Sequence, residues 1–378
     1  MPKPDSINII NLASDLAQKR ITVNSLPAIL YVESVYGCPY SCIMCEVRES
    51  KPHLISDELL KKLEPLYPHL YMLAIHGDGE PLLGKDIDYY INVAQENNIV
   101  LHMNSTGFFL NPDLAERLLK GNKLSIRFSI HASTDATYAK IMGHDFEMVK
   151  KNIKYIVERN AVIGDKDNEF WFSYIVMKEN IAEIPDFLHL ASQLGIKQVR
   201  FMRLVPNRYT IRGVLRKKEN FKFYYNEQFN NKIKEDFLKK LPEIKNLAKN
   251  LGISIEPGDL EPACSNMHLF DNVLVEKIWG KLSPIRHKGF CIAPWVGGCI
   301  IKQSGDVVLC CSASYSIGNL FQNNFNEIWN SSKIQSIRRK FRLGYLPKVC
   351  DSCQAVILES YPKTVFREFK DKLIQNRI

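Results

Sequence analysis

The sequence predicts an α/β fold, a partial (β/α)6 TIM-like barrel followed by a small cysteine-rich domain at the C-terminal end. Three observations predict it. Apolar, β-rich runs alternate with helical segments from about residue 28 to residue 204. These runs are too apolar for a sheet with one wet face, which is typical of parallel strands covered by helices. After about residue 289 the chain becomes rich in cysteine and glycine.

Six strand–helix units, or nearly six, make up the predicted barrel. The predicted strands are AILYVESVY, YMLAIHG, IVLHMNS, KLSIRFSIH, EFWFSYIVM and KQVRFMRL. Among the helical segments between them, NPDLAERLLKG has clear end signals, because Asn111 and Pro112 favour a helix start and Gly121 favours its end. In such sheets and barrels the ligand site lies at the carboxyl ends of the strands. Unusual residues at those ends are therefore candidates for function.

Four segments are expected along the chain. Residues 1–27 form an N-terminal extension, 28–204 the barrel, 205–288 a bridging helical region and 289–378 the cysteine-rich domain. The bridging region begins with a basic and aromatic stretch and continues as a long polar helix to about Asn250.

The composition favours a globular cytoplasmic protein. The 378 residues are 46% hydrophobic and 24% charged, without a signal peptide or a membrane-spanning run. In a reducing compartment, ten cysteines indicate metal or redox chemistry rather than disulfides. The net charge of +9 is modest for this length, so we interpret it as a solvated basic face and expect neither a membrane nor a nucleic acid as partner.

Three cysteines follow the first predicted strand within the stretch VYGCPYSCIMCEV, at Cys38, Cys42 and Cys45. Three thiolates can bind three corners of a [4Fe–4S] cluster and leave the fourth iron open to a small chelating molecule. A zinc site completed by a ligand elsewhere is the alternative.

Polar residues also end the next three predicted strands. The second strand ends in HGDGEP, where two glycines flank Asp78 and allow close approach of a ligand, and Glu80 offers an acceptor to an amine. The third ends in MNSTG and the fourth in SIHAS, which place Asn104, Ser105 and Ser129 at the same predicted rim.

Together these residues carry a resemblance. The spacing C-x3-C-x2-C of Cys38, Cys42 and Cys45, with G-D-G-E-P one βα unit later, resembles the radical S-adenosylmethionine (radical SAM) enzymes over residues 28–204. The resemblance implies that S-adenosylmethionine (SAM) chelates the open iron. It also implies that an electron from flavodoxin, ferredoxin or a similar reductant cleaves SAM to a 5′-deoxyadenosyl radical, which abstracts a substrate hydrogen.

The same resemblance implies a set of SAM contacts. Residues of the glycine-rich turn would hold the methionine amine, Ser129 would meet the carboxylate, and Asn104 or Ser105 would meet the ribose. Met44 would lie beside the adenine. The turn residues are Gly77, Asp78, Gly79 and Glu80. His131 stands where many relatives carry an acidic residue. This difference indicates either a contact with the substrate or no functional role.

The C-terminal region resembles the SPASM domain, or the shorter Twitch domain, of many radical SAM enzymes. The shared marks are C-x-x-P-W at 291–295, the Gly-Asp turn at 305–306, IGN at 317–319 and Trp329. The cysteine count favours one auxiliary cluster and hence the Twitch-like form. Its four proposed ligands to a second [4Fe–4S] cluster are Cys291, Cys310, Cys350 and Cys353. A structural zinc ribbon is the alternative.

Cys311 directly follows one of these proposed ligands. In peptide epimerases of the superfamily a thiol returns a hydrogen atom to the substrate radical, so Cys311 is the candidate catalytic residue. Dehydrogenases instead pass an electron to the auxiliary cluster. We therefore expect epimerisation or other modification of a peptide residue, or oxidation or epimerisation of a small molecule such as an amino sugar or cyclitol.

The residues before the first strand are too few for the leader-peptide recognition domain of many peptide-modifying relatives, which leaves a small molecule such as an amino sugar, or a peptide recognised at the barrel mouth. Two other classes are open. An RNA-modifying enzyme would use the basic stretches RGVLRKKENFKF and RRKFR to contact phosphates. A non-enzymatic iron–sulfur electron carrier would hold the clusters without cleaving SAM.

Overall fold

A computed structural model describes residues 6–121, 123–164, 167–205, 214–215, 222–257, 260, 291–310 and 315–350 of the chain. Its strands, in chain order, are β1 (Ile29–Val32), β2 (Val35–Tyr36), β3 (His53–Leu54), β4 (Met72–Ile75), β5 (Val100–Ser105), β6 (Leu124–Ser129), β7 (Glu169–Val176), β8 (Gln198–Arg203), β9 (Val214–Leu215), β10 (Phe223–Tyr224), β11 (Ser254–Glu256), β12 (Gly297–Ile301), β13 (Asp306–Val308) and β14 (Ser316–Asn319).

The described part of the chain also contains twelve α-helices. They are α1 (Ser6–Ala17), α2 (Asp57–Leu63), α3 (Ile87–Asn97), α4 (Pro112–Leu119), α5 (Asp135–Met142), α6 (Phe146–Ile163), α7 (Ile184–Gln193), α8 (Tyr225–Gln228), α9 (Asn231–Asn250), α10 (Ala293–Val296), α11 (Phe325–Trp329) and α12 (Ser332–Arg342). The predicted start of α4 is confirmed, because the Asn111 side chain accepts a hydrogen bond from the Leu114 N–H. None of the described helices is both long and apolar enough to cross a membrane.

One sheet of ten strands forms the centre of the molecule, in the order β11-β8-β7-β6-β5-β4-β1-β12-β13-β14. From β11 to β12 every neighbouring pair is parallel, and β12, β13 and β14 are joined antiparallel. The predicted α/β fold with parallel strands is therefore confirmed. The sheet also extends beyond the predicted six strands, because the short strand β11 follows α9 and pairs with β8.

The two faces of this sheet differ in polarity, as β6 illustrates. Leu124, Ile126 and Phe128 are buried, and Phe128 contacts Phe172 of β7, which in turn contacts Phe187 of α7. Because side chains alternate along a strand, Ser125, Arg127 and Ser129 lie on the opposite face, away from the helices. This polar face follows the parallel strands to their carboxyl ends, where a ligand site is expected.

The C-terminal domain continues the barrel sheet, since β12 pairs in parallel with β1. The N-terminal extension, which includes α1, is fixed at the same place. The Trp295 indole N–H donates to the Arg20 carbonyl at 2.8 Å. Arg338 is fully buried and donates to the carbonyl oxygens of Ile21, Pro294 and Trp329. The N-terminal extension is thus hydrogen-bonded directly to the C-terminal domain.

Candidate active site

The loop of Cys38, Cys42 and Cys45 lies at the carboxyl end of the parallel strands. The strand predicted to run directly into Cys38 ends earlier, at Val32, because the buried polar Glu33 and Ser34 interrupt it. The ribbon of β2 and β3 follows. The Cys38 N–H donates to Ser50 Oγ at 3.1 Å and the Ser50 N–H donates to the Cys38 carbonyl at 2.9 Å, which closes the loop on itself.

The end of α5 supports the other side of this cysteine loop. The Ile43 N–H donates to the Ile141 carbonyl at 2.9 Å. Gly143 follows with a φ of +76°, and a Cβ atom there would lie 1.9 Å from Ser41 Oγ. Only glycine combines this left-handed conformation with so close an approach. The loop is therefore seated directly on the helix end.

The three thiols suit an iron–sulfur cluster. Cys38 and Cys42 are buried and Cys45 is half-buried. Burial raises the pKa of the Cys42 thiol, and the neighbouring Cys45 and Cys38 raise it further. Thiols in such a place lose their protons when a cation compensates the thiolate charge. Within the described residues no three His, Cys, Asp or Glu side chains are grouped to hold a single metal ion. Cluster thiolates bind separate iron atoms and need no such common point.

The glycine-rich turn of residues 77–79 packs against the chain that follows β1. A Cβ atom on Gly77 would lie 2.5 Å from Glu33 Cγ, and one on Gly79 would lie 2.3 Å from the Val35 carbonyl oxygen. The Gly37 N–H, just before Cys38, donates to the Asp78 carbonyl at 2.7 Å. The turn and the cysteine loop are therefore parts of one site.

Glu80 is buried beneath this turn and its carboxylate receives four hydrogen bonds. Oε1 accepts from Ser105 Oγ at 2.6 Å and from the Leu82 N–H at 3.2 Å. Oε2 accepts from the Thr106 N–H at 2.9 Å and from its hydroxyl at 3.0 Å. The Thr106 hydroxyl also hydrogen-bonds to the Tyr40 hydroxyl at 3.0 Å. Glu80 thus joins the turn, the end of β5 and the cysteine loop.

The remaining predicted SAM contacts lie around the same end of the sheet. Asn104 lies at the end of β5, where its Oδ1 is buried and its side chain interacts with His102. Ser105 is buried and its hydroxyl is bonded to Glu80. Ser129 ends β6. Met44 is half-buried, and its carbonyl accepts from the Tyr225 hydroxyl at 2.7 Å.

His131 serves the fold. It is buried, its Nδ1 accepts from the Ile175 N–H at 3.2 Å, and its carbonyl accepts from the Asn180 side chain at 2.9 Å. Burial lowers the pKa of His131 to about 4, so the ring is neutral at pH 7. These contacts are those of a structural histidine.

Sequence reasoning missed a polar cluster on the face of the sheet away from the helices. Arg127 Cζ lies 4.2 Å from the centre of the Trp171 ring, and His102 Nδ1 lies 3.0 Å from Ser125 Oγ. The signal was present in LSIRFS, where polar residues alternate with apolar ones inside a strand of a parallel sheet.

Three of the four proposed C-terminal ligands, Cys291, Cys310 and Cys350, are buried. Cys353, Cys311 and Cys264 lie outside the described residues, so the roles given to Cys353 and Cys311 stay predictions. Cys299 is different, because it lies inside β12 beside Leu30, where burial raises its pKa to about 12.

Comparison with known proteins agrees with this geometry. Residues 32–191 match the radical SAM superfamily, and residues 291–354 match the SPASM iron–sulfur cluster-binding domain. The SPASM match does not decide between the full domain and the shorter Twitch-like form, which stays a prediction.

Two curated relatives share about a quarter of the aligned residues. The PqqA peptide cyclase of Gluconobacter oxydans is 26% identical over 47% of this chain and 50% of its own length. A probable GTP 3′,8-cyclase of Saccharolobus solfataricus is 27% identical over 47% of this chain and 57% of its own length. The chain therefore spans about half the length of the curated relatives it matches.

The fold is also that of a solved structure, SuiB of Streptococcus suis bound to the precursor peptide SuiA. The TM-score is 0.60 at 15% identity, over 85% of this chain and 68% of that one. The chain carries a radical SAM domain over residues 32–191 and a SPASM domain over residues 291–354.

Proposed function

We propose that this chain cleaves SAM reductively and abstracts a hydrogen atom from a carbon of a polar substrate. A peptide residue is the first candidate for this substrate and a small molecule is the second. One observation carries the proposal. The cysteine loop and the glycine-rich turn meet at the carboxyl ends of the parallel strands, joined by the hydrogen bond from the Gly37 N–H to the Asp78 carbonyl.

The residues divide the work of holding the cofactors. When bound, a [4Fe–4S] cluster and SAM supply the 5′-deoxyadenosyl radical that takes the substrate hydrogen. Cys38, Cys42 and Cys45 would hold the cluster. The backbone of residues 77–79 and Asn104 Oδ1 would face SAM, while Glu80 joins the turn to the end of β5 through Ser105 and Thr106.

The substrate side would be the polar face with Arg127 and Trp171. A guanidinium stacked on an indole offers donors and an apolar surface together, which suits the backbone and side chain of a peptide. The match to PqqA peptide cyclase supports a peptide residue as substrate. The match to GTP 3′,8-cyclase supports a small molecule as the second candidate.

The C-terminal domain would hold auxiliary iron–sulfur chemistry on Cys291, Cys310, Cys350 and Cys353. An epimerisation would use Cys311 as the hydrogen-atom donor, and an oxidation would pass an electron to the auxiliary cluster. Flavodoxin or ferredoxin would supply the electron that starts the reaction.

The RNA-modifying alternative depends on two basic stretches that would contact phosphates, and the structure weakens the case for one of them. Of the two basic stretches, RGVLRKKENFKF has eight of its twelve residues outside the described part of the chain. In RRKFR, the guanidinium of Arg338 is buried on three carbonyl oxygens and cannot reach a phosphate. Affinity for RNA that falls steeply with salt would support this alternative.

The test is the formation of 5′-deoxyadenosine from SAM by the anaerobically reconstituted and reduced protein. We expect product from the wild type, none from Cys42→Ala, and product from Cys299→Ala, a matched control that removes another buried thiol. Lack of product from the wild type with intact clusters would support the electron-carrier alternative. Product from Cys42→Ala equal to that of the wild type would contradict the assigned site.

A further inference from the structure

Lys302 belongs to the C-terminal domain but contacts the glycine-rich turn of the barrel. It directly follows β12, and its Nζ lies 2.6 Å from Glu33 Oε1 and 2.9 Å from Asp78 Oδ2. The Lys302 side chain is only 16% exposed and that of Glu33 3%. The contact with Glu33 is thus shielded from solvent, unlike an ordinary surface ion pair, whereas the Asp78 side chain is 29% exposed.

The two carboxylates need this cation because they are held close together. The Asp78 N–H donates to Glu33 Oε1 at 3.2 Å, and Gly77 leaves room for the Glu33 side chain. Carboxylates this close repel each other unless a cation lies between them. Burial lowers the pKa of Lys302, but Glu33 and Asp78 raise it more, so the ammonium keeps its charge.

The hairpin that carries Lys302 is itself fixed to the end of β1. The Glu33 N–H donates to the Ile301 carbonyl at 2.9 Å. The Gln303 N–H lies 3.4 Å from Glu33 Oε2, and the Gln303 side chain donates to the carbonyls of Ser34 and His53. Lys302 therefore contacts the turn from a fixed base.

We propose that Lys302 is a positioning residue for SAM, through which the C-terminal domain completes the SAM site by neutralising Glu33 and Asp78 and fixing the turn of residues 77–79. This inference rests on the proposed function, because it concerns the site where SAM would bind. The domain then has a role besides holding its own cluster. Since coupling between sites is reciprocal, SAM would also stabilise the seating of the β12–β13 hairpin.

The first test needs no cofactor. Hydrogen exchange of the backbone amides in residues 76–80 is compared in the protein before reconstitution. Lys302→Met removes the charge and keeps an aliphatic stem. Lys302→Arg keeps the charge, and Lys340→Met removes an exposed lysine of the same domain. We expect about tenfold faster exchange in Lys302→Met, which equals about 1.4 kcal/mol. Exchange in the other two variants should match the wild type.

The second test measures SAM affinity after reconstitution. We expect Lys302→Met to bind SAM about tenfold more weakly with unchanged iron content, and Lys302→Arg to restore most of the affinity. Wild-type exchange and wild-type SAM affinity in Lys302→Met would overturn the inference and leave the proposed function standing. A wild-type protein with intact clusters that does not bind SAM would overturn the proposed function, and this inference with it.

A further variant decides the matter if Lys302→Met does not fold. Asp78→Asn breaks the same contact from the other side and keeps the pair of Lys302 with Glu33. We expect it to accelerate exchange of the turn by a similar factor. Wild-type exchange in Asp78→Asn would refute the role of Lys302.

Discussion

Replacement of Glu80 by glutamine tests how the site is built. The substitution keeps the shape of the side chain and exchanges one carboxylate oxygen for an amide nitrogen. Both oxygens of Glu80 receive a backbone N–H, from Leu82 on Oε1 and from Thr106 on Oε2. The amide nitrogen must therefore face a backbone donor in either orientation, whereas the hydroxyls of Ser105 and Thr106 can rotate to accept from it.

The expected loss of stability follows from this conflict. A buried N–H without an acceptor costs about 1–3 kcal/mol, and the remaining bonds change from charge-assisted to neutral ones. We predict that Glu80→Gln lowers the free energy of unfolding by about 3 kcal/mol. Burial raises the pKa of Glu80, while the hydrogen bonds from Ser105, Thr106 and Leu82 oppose that rise. The predicted loss applies to the ionised carboxylate, which is the form that these hydrogen bonds stabilise.

Urea denaturation of the protein without cofactors measures the effect. Glu158→Gln is the control, because Glu158 is exposed on α6 and its loss should change stability by less than about 0.5 kcal/mol. A loss below about 1 kcal/mol for Glu80→Gln would show that the carboxyl group is already neutral. That result would refute the reasoning about the four donors.

Three further perturbations address the supports of the site. Gly143→Ala should displace the cysteine loop and reduce the iron that the protein retains. The control is Gly164→Ala, which has a similar φ of +75° and no atom near its Cβ, and it should retain as much iron as the wild type. Equal iron retention in the two variants would contradict the contact of the cysteine loop with the end of α5. Arg338→Met should lower the free energy of unfolding by about 3 kcal/mol in urea denaturation, because three carbonyls lose their donor and two of these contacts are buried. A change below about 1 kcal/mol would contradict this. The unfolded state binds a proton at His131 below about pH 6.5 and the folded state only near pH 4, so stability falls as the pH drops through this range. His131→Asn should therefore lose about 2 kcal/mol less than the wild type between pH 7 and pH 4.5, and parallel losses would refute this.

Local patterns made the barrel predictable. Apolar runs alternating with helical segments indicate parallel strands, and the polar residues that end those runs come together because parallel strands present their carboxyl ends on one side. For this reason Cys38, the turn at Asp78 and Asn104 were all expected at the same rim, where the structure has them. The capping residue Asn111 was equally visible, because a helix start depends on a few adjacent residues.

Contacts between distant parts of the chain were not predictable in the same way. The pairing of β12 with β1 joins segments separated by most of the sequence, and no pattern in either segment indicates which strand it pairs with. For the same reason, nothing in the sequence around Lys302 indicates its contact with the glycine-rich turn. The break of the first strand at Val32 depends on the burial of Glu33 by Lys302 and Asp78, again a tertiary effect. The strand β11 has only three residues, and no apolar run in the sequence predicts it.

The iron content of the anaerobically reconstituted protein tests the central claim most directly, for the wild type and for the triple variant Cys38→Ala, Cys42→Ala, Cys45→Ala. We predict that the triple variant holds about four iron atoms per chain fewer than the wild type, the content of one [4Fe–4S] cluster. Iron bound by the C-terminal cysteines should be unaffected. An equal iron content in the two proteins would contradict the assignment of these three cysteines as the ligands of the SAM-binding cluster.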